Sequence, residues 1–428
     1  MPRLLRGWHR DGRPMSLSEH VAIHGAVPAV AGRRRGGDAL VEVVGRAGLC
    51  GRGGAGFPTA RKMASVAGRR GRPVVVANGA EGEPASAKDR VLVGQNPHLV
   101  LDGAALAAAA VGASRVIVAV TSHNVATVTG AMSERARLDL DRVPLEVIAL
   151  PERFIAGEES ALVDFVNGGP GLPGFVPPRP YERGVGGQPT LVHNVETLAH
   201  LALIARHGPG WFRGVGTASE PGSTLVTVTG AVAQPGVLEV PRGARLGDVI
   251  GSAGGPSARS GAYLIGGYAG AWMPALPRTW VMPLSEEALR RHGGILGAGV
   301  VVVLPLHACG VSETARIMAY LAAQGAGQCG PCVNGLAAMA SAAGDLALGT
   351  AGGDVVEWLE RWAGQVRGRG ACRHPDGAAR LMASALATFA TDVSAHRRHQ
   401  PCRGASAPPA WAGSTGGALP TAMSWTLR

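Results

Sequence analysis

The chain has 428 residues, enough for two to four domains with buried cores. Its 41 basic and 30 acidic residues give a formal charge of +11, but 39 of the basic residues are arginine and no aromatics interleave with runs such as Arg33-Arg34-Arg35 and Arg69-Arg70; this argues for coding bias or an acidic redox partner, and against nucleic acid. No run reaches the ~18 uninterrupted apolar residues of a membrane helix, no apolar segment follows Arg3, Arg6 and Arg10 as a secretory signal would need, and six cysteines are too few for a disulfide scaffold, so a cytoplasmic protein is expected, at most peripheral to a membrane complex.

Residues 1–45 are rich in Arg and Gly and read as a loosely structured extension with one helix over Ala39–Arg46. From Gly51 onward strands and helices alternate. Val74–Ala77 is a strand, the Ala-rich stretch Leu99–Val111 a buried helix, Arg115–Val120 a strand, His123–Arg135 a helix and Leu145–Leu150 a strand, which predicts a largely parallel α/β sheet. Phe175–Gln188 breaks the pattern with three prolines and reads as a covering loop, and Val192–Arg206 is expected to be a helix. Ser223–Gly230, Val237–Val240 and Ala262–Ile265 read as strands around a short helix at Leu246–Ala253, an order that suggests a small β-grasp-like module. Val300–Pro305 is a further strand. Helical periodicity over Ser312–Ala323, Leu336–Leu348, Val355–Val366 and Gly377–Thr391 predicts a C-terminal bundle, and residues 397–428 have the composition of a disordered tail.

Five motifs carry chemistry. The first is Gly51-Arg52-Gly53-Gly54-Ala55-Gly56-Phe57-Pro58-Thr59 with Lys62: four glycines let backbone N–H groups approach an anion, and a helix starting near Pro58 would aim its N-terminus at it. It lacks the Gly-Lys-Ser/Thr ending of a nucleoside triphosphate loop. The second, Asn78-Gly79-Ala80-Glu81-Gly82-Glu83-Pro84 leading to Lys88-Asp89-Arg90, follows a strand, where open α/β sheets bind ligands. The third is Ala156-Gly157-Glu158-Glu159-Ser160 and the fourth His193-Asn194-Val195-Glu196-Thr197; taken singly, each reads as a helix cap. The fifth is Cys329-Gly330-Pro331-Cys332 with Cys372 forty residues later, a spacing that grips a metal cluster or, alternatively, forms a thioredoxin-type redox pair. Both lysines of the chain, Lys62 and Lys88, lie inside these motifs.

The order and spacing of these motifs resemble the NADH-oxidising, FMN-carrying subunit of respiratory complex I and its relatives in NAD-reducing hydrogenases and formate dehydrogenases. The resemblance covers roughly residues 45–390, and the Gly-Arg-Gly-Gly-Ala-Gly-Phe-Pro-Thr stretch is its most specific part. It implies an α/β FMN-binding domain (46–210), a β-grasp, SLBB-like domain (222–276) and a helical bundle with an iron–sulfur site (305–395), between the extension (1–45) and the tail (396–428). By that similarity Gly53, Gly54, Gly56 and Lys62 hold the FMN phosphate and ring edge, Asn78 and Asn194 meet the flavin or its ribityl chain, and Thr197 lies near the phosphate. Glu81 and Gly157 fall among the cofactor-binding positions, Phe57 lies beside the nucleotide, and Glu158 and Glu159 lie where nicotinamide and ribose approach.

The resemblance also assigns a 4Fe–4S cluster to Cys329, Cys332 and Cys372, but its fourth cysteine position is Ala326. Replacement by Cys309, Cys402, His374 or Asp376, a cluster with an open corner, and loss of the cluster all stay open. Ala80 stands where the family has an acid and Ala156 where it has a cysteine. Ser65 and Arg179 stand where two aromatics sandwich the adenine of NADH. The expected function is NAD(P)H oxidation through FMN to an iron–sulfur cluster and onward to a ferredoxin-like or other subunit of a redox complex. The alternatives are a docking subunit without a nicotinamide site and a flavoprotein fed by ferredoxin.

Overall fold

The computed structural model describes residues 3–9, 11–28, 37–175, 177–400, 402 and 404. Helices α1 (Leu17–His24), α2 (Gly37–Ala47) and α3 (Thr59–Ala67) precede strand β1 (Val74–Gly79). Then come α4 (Lys88–Gln95), α5 (Pro97–Val111), β2 (Arg115–Thr121), α6 (Ser122–Ala136), β3 (Leu145–Leu150), α7 (Glu159–Val166), β4 (Thr190–Asn194) and α8 (Val195–Arg213). The four strands form a wholly parallel sheet in the order β3-β2-β1-β4. Val75, Val76 and Ala77 of β1 are fully buried, as a parallel strand covered on both faces requires.

Helix α5 crosses the back of this sheet against α8. Its residues are small because the two backbones approach closely: a Cβ on Gly103 would sit 1.9 Å from the carbonyl oxygen of Leu198. The expected helix at 192–206 begins three residues later than its pattern suggests. Val192–Asn194 pair with β1 instead, and Asn194 caps the helix by accepting the N–H of Glu196 at 3.0 Å.

A second sheet holds β5 (Ser223–Gly230), β6 (Gly236–Pro241), β7 (Ser260–Ile265), β8 (Ala271–Pro274) and β9 (Val300–Pro305), in the order β6-β5-β9-β7-β8. Three short helices accompany it, α9 (Leu246–Ser252), α10 (Pro277–Trp280) and α11 (Glu286–Arg291). Strand β9 lies at its centre, parallel to β5 and antiparallel to β7, so the module read from 223–275 takes its middle strand from beyond that range.

The C-terminal bundle comprises α12 (Gly310–Ala323), a π-helical turn over Pro331–Leu336 that runs into α13 (Ala337–Leu348), α14 (Val355–Val366), α15 (His374–Thr388) and α16 (Ala390–Arg397). The last predicted helix is therefore two, separated at Phe389. Most of the expected disordered tail lies outside the described residues, as does the Arg33–Arg35 run. No described helix is long and apolar enough to cross a membrane.

The N-terminal segment is more ordered than its composition suggests. Leu4 and Leu5 are buried, and Glu239 on β6 accepts the backbone N–H groups of Arg3, Leu4 and Leu5 with one carboxylate oxygen, at 2.7, 2.8 and 3.2 Å. Ser16 and Glu19 close a capping box on α1. The anchor is a residue more than 230 positions away, which local composition does not reveal.

Two glycine substitutions should move stability in opposite directions. Gly103→Ala forces α5 from α8 and should cost about 1–3 kcal/mol. Gly130→Ala, on the exposed face of α6 with open space at the Cβ position, should be neutral or stabilise by up to about 1 kcal/mol. Thermal melts of the two variants that shift in the same direction would refute the close-approach account of α5.

Candidate functional site

Strand β1 lies between β2 and β4, and the chain leaves its C-terminal end toward one neighbour and returns on the other. That reversal opens a crevice at the carboxyl ends of β1 and β4, the usual ligand position in such sheets. All four non-cysteine motifs meet there. Asn78 and Asn194 are register partners at the ends of the two strands. The Asn78 amide donates to the carbonyl of Gly157 at 2.9 Å, and its side-chain oxygen accepts the N–H of Ala80. The Asn194 amide donates to Asp89 at 2.7 Å.

The glycine-rich loop reaches the same place from the other side. Gly54 (φ 100°) and Gly56 (φ 63°) adopt backbone angles that side chains disfavour, and Gly53 sits 3.4 Å, at its Cβ position, from the Asn194 side chain. Thr197 accepts the N–H of Arg52 at 2.9 Å, so its hydroxyl positions the loop. Helix α3 begins at Thr59 with no side-chain cap; the Thr59 N–H is taken by the Leu49 carbonyl at 2.9 Å, so the N–H groups of Ala60 and Arg61 are the first-turn donors left for an anion. Lys62 spans the opening to Glu159 at 2.9 Å.

Glu158 caps α7, accepting the N–H groups of Ser160 and Ala161, both at 2.9 Å. Glu81 is drawn away from the crevice: its two oxygens accept the Ser86 hydroxyl and the N–H groups of Asp89 and Arg90 at the start of α4. Phe57 is half exposed at the mouth. Ser65 turns its hydroxyl back to the Arg61 carbonyl, and Arg179 is exposed. The residue that sequence reasoning missed here is Phe175, 72% exposed and next to Gly174, whose N–H binds the Ser160 hydroxyl. Its signal was an aromatic inside the proline-rich loop.

Beneath the crevice lies a buried ion cluster. Lys88 bonds Asp89 at 2.8 Å and Glu196 at 3.0 Å. Glu196 also accepts the Thr224 hydroxyl and the Leu225 N–H of β5, at 2.9 and 3.0 Å. Arg52 lies 3.9 Å from Glu196 and donates to the carbonyls of Ser223 and Pro221. Burial opposes ionisation of Glu196, but Lys88, His200 and Arg52 outweigh it and hold the carboxyl below its usual range. Burial alone would strip the charge from Lys88; Asp89 and Glu196 reverse this and raise its pKa. A partly open cavity of about 130 Å³ adjoins the cluster, sharing Gly54 and Gly56 with the crevice and walled on its other side by Thr224, Arg242 and Leu296.

The cysteine motif lies beyond the Phe154–Gly157 turn. Phe154 donates its N–H to Gln324 at 3.0 Å, and its ring lies 5.2 Å from that of His374. Cys329, Cys332 and Cys372 are free thiols that feel one another's charge. Burial, then the neighbouring Cys329, pushes the Cys332 thiol up to about 11, a repulsion that a cation between the sulfurs would relieve. Backbone N–H groups already point at two of these sulfurs, Ala326 at Cys332 and His374 at Cys372. The charge of Glu158 reaches Cys372 as well.

Of the four replacement ligands named from the sequence, three are set aside by their surroundings. Cys309 precedes α12 and Cys329 follows it, and 14 helical residues hold them about 20 Å apart. Cys402 lies beside Cys309. Asp376 is occupied by the Gly368 N–H and by Arg373. His374 remains: one ring nitrogen, Nε2, bonds the Leu321 carbonyl at 2.8 Å, while buried Nδ1 has no partner.

Buried His193, beside Asn194, is held neutral: burial, then the charge of Lys62, pushes its pKa down to about 3. His200 is pushed equally low by burial and Arg52. A histidine with a depressed folded pKa contributes stability that is full above its unfolded value, 6.5, and is lost as pH falls toward 3. Each should cost about 2 kcal/mol between pH 6.5 and 5. Melting midpoints of His193→Gln should therefore fall less between pH 7 and pH 5 than those of the unaltered protein; an unchanged fall would contradict a neutral His193. Glu196→Gln should destabilise by about 3–5 kcal/mol by leaving Lys88 poorly compensated, read as a lowered melting midpoint at pH 7; an unmoved midpoint would mean the cluster is not needed for the fold.

Comparison with known proteins gives a consistent set of matches. The sequence profile of the Nuo51 FMN-binding domain matches residues 44–203, that of the SLBB domain 225–265, and that of the NADH-ubiquinone oxidoreductase-F iron-sulfur binding region 312–396. The NADH-quinone oxidoreductase F 2 subunit of Rhizobium meliloti (strain 1021) is 31% identical over 383 residues, covering 85% of this chain and 90% of that one. The NADP-reducing hydrogenase subunit HndC of Solidesulfovibrio fructosivorans is 30% identical over 338 residues, 74% of this chain and 68% of that one. The fold matches an NAD+-reducing NiFe hydrogenase in its H2-reduced state with a TM-score of 0.80 at 31% identity, over 92% of this chain and 70% of that one. For the air-oxidised state the TM-score is 0.79 at 33% identity, over 84% of this chain and 63% of that one.

Proposed function

The chain belongs to the family of NADH-quinone oxidoreductase F subunits, and from that premise we propose that it oxidises NAD(P)H with FMN in the β1–β4 crevice and delivers the electrons to an iron–sulfur cluster held by Cys329, Cys332 and Cys372. The observation that carries the reading is the Phe154–Gly157 turn. It ends in the Gly157 carbonyl bonded to Asn78, begins at a Phe154 N–H bonded to Gln324, and so joins the crevice to the end of α12, from which the chain runs into the cysteine motif.

The residues fit both groups. The Ala60 and Arg61 amides of α3, the φ-positive Gly54 and Gly56 and the cation of Lys62 suit a phosphate. Asn78, with one amide N–H spent on Gly157, lies at the strand end where a polar ring edge would sit, and Asn194 holds Asp89 beside it. Three free thiols, two of them with N–H donors on their sulfurs, suit a cluster, and the unpartnered Nδ1 of His374 is the candidate for its fourth position. When bound, the flavin accepts a two-electron hydride and releases electrons singly. The protein's part is positional. Lys62 exchanges Glu159 for the phosphate, Glu158 and Glu159 flank the approach of the nicotinamide, and neutral His193 keeps a second positive charge away from Lys62.

Exposed Arg179 and the absence of an aromatic at Ser65 favour a second reading of the donor, a phosphorylated nicotinamide dinucleotide whose phosphate pairs with Arg179, while Phe175 offers a ring to stack on. The acceptor would be a ferredoxin-like or other subunit of a cytoplasmic redox complex.

An anaerobic absorption spectrum before and after NADH, then NADPH, tests both readings. Flavin bands over a broad iron–sulfur shoulder that bleach with either nucleotide are expected, and preferential bleaching by NADPH should be lost in Arg179→Ala. A colourless protein after flavin and iron–sulfur reconstitution would refute the enzyme reading and leave a docking role. Flavin that bleaches only with reduced ferredoxin would replace the nicotinamide donor.

A further inference from the structure

At the end of the bundle opposite the CxxC motif, a cysteine meets two side chains from a segment 87 residues and more further along the chain. Cys309 precedes α12, His396 lies in the last turn of α16, and Cys402 follows it. Their ligand atoms all lie within 4.8 Å of one another. We propose that Cys309, His396 and Cys402 form a binding site for a zinc-like divalent cation, distinct from the Cys329, Cys332 and Cys372 site.

The geometry suits a tetrahedral ion. His396 is fully buried, and its Nδ1 donates to the carbonyls of Leu346 and Ala347, at 3.1 and 3.0 Å. That bond fixes the tautomer and turns the Nε2 lone pair toward the sulfurs, as the outer hydrogen bond of a ligating histidine does. Nε2 lies 3.5 Å from Cys309 Sγ. With zinc bonds of about 2.3 Å to sulfur and 2.0 Å to nitrogen, a tetrahedral N···S edge is about 3.6 Å, so these two ligands need almost no movement. The same lone pair accepts the Cys402 N–H at 3.2 Å, a bond that the ion would displace while keeping Cys402 in place through its sulfur.

Backbone donors face both sulfurs. Cys309 Sγ accepts the N–H of Ser312 at 3.3 Å, at the N-terminus of the 14-residue α12. Cys402 Sγ accepts the N–H of Gly404, which itself packs against His307 and Cys309. Burial, then the neighbouring Cys309, nevertheless pushes the Cys402 thiol up to about 11, and a cation between the two sulfurs would remove that opposition. Two thiolates and one imidazole select zinc over hard cations. The fourth ligand would approach from the partly exposed side of Cys402, where Asp392, one helical turn before His396, contributes its charge. The bound ion would clasp the chain after α16 onto the start of α12 and the carbonyl end of α13.

The test is metal retention by the full chain carrying Cys329→Ser, Cys332→Ser and Cys372→Ser, which removes the other thiol site. After dialysis against a weak chelator it should keep about one equivalent of zinc. Replacement by cobalt should give thiolate charge-transfer and tetrahedral d–d bands. Adding Cys309→Ser or His396→Asn should abolish both. If these variants fail to fold, the unaltered protein answers by alkylation mapping: zinc should slow modification of Cys309 and Cys402 by roughly tenfold or more. A folded protein that retains no metal and whose thiols are alkylated equally fast with and without zinc overturns the proposal. So does a Cys309–Cys402 disulfide in protein isolated anaerobically without reductant.

Discussion

The buried carboxylate of Glu196 is the constraint on which the rest of the structure depends. It sits at the first turn of α8, directly behind the crevice, and is wholly buried. A carboxylate there is tolerable only if it is fully compensated. The compensation comes from three directions: Lys88 from the second motif, Arg52 from the first, and the Thr224 hydroxyl and Leu225 N–H from the second sheet. One buried charge therefore fixes the glycine-rich loop, the α4 turn and the β5 edge relative to one another. Glu83 nearby is the uncharged counterpart: burial pushes its carboxyl up to about 8, and it accepts the N–H groups of Ala85 and Tyr268, tying the second motif to the β7–β8 turn.

The second consequence is distance. Electron transfer from a flavin to a cluster depends on holding two sites close without letting them merge. The Phe154–Gly157 turn does this. Its backbone carbonyl at Gly157 belongs to the crevice, and its ring at Phe154 packs among His374 and Tyr320 of the bundle. A Cβ on Gly82 would lie 2.3 Å from the Phe154 carbonyl, so the second motif also presses on this turn. The glutamate that follows, Glu158, is electrostatically visible at Cys372. The two sites share this turn as a common wall.

What could be read from the sequence follows from the range of the interactions. Strands β1, β2 and β3 and helix α5 were legible because their apolar pattern is local and unbroken. The glycine-rich motif was legible because its four glycines have few other uses. Strand β4 was hidden because its short run merges with the helical pattern of α8. The place of Val300–Pro305 at the centre of the second sheet was hidden because pairing with β5 spans some seventy residues. Glu239 reaching Arg3–Leu5, and Cys309 meeting Cys402, are likewise contacts that no window in the sequence contains. Glu81 has a local task that its motif did not announce: its carboxylate caps the start of α4. The two lysines were the best single clue, since in a chain that otherwise uses arginine each pairs with carboxylates at the site.

The departures from the family pattern have a physical distribution. The positions that keep it are those with a second task in the fold. Asn78 and Asn194 hold strand ends, Thr197 holds the loop, Glu158 caps α7, and Lys88 neutralises Glu196. Substituting any of them costs stability as well as binding. Ser65 and Arg179 are exposed, and the Ser65 hydroxyl bonds only within its own helix among the described residues. Their identities are therefore free to vary, while the residues of the crevice beneath them are pinned by folding itself. Ala326 belongs to the first class only through its backbone, whose N–H reaches Cys332. An alanine side chain there leaves the turn intact, because the contact to Cys332 is made by the backbone.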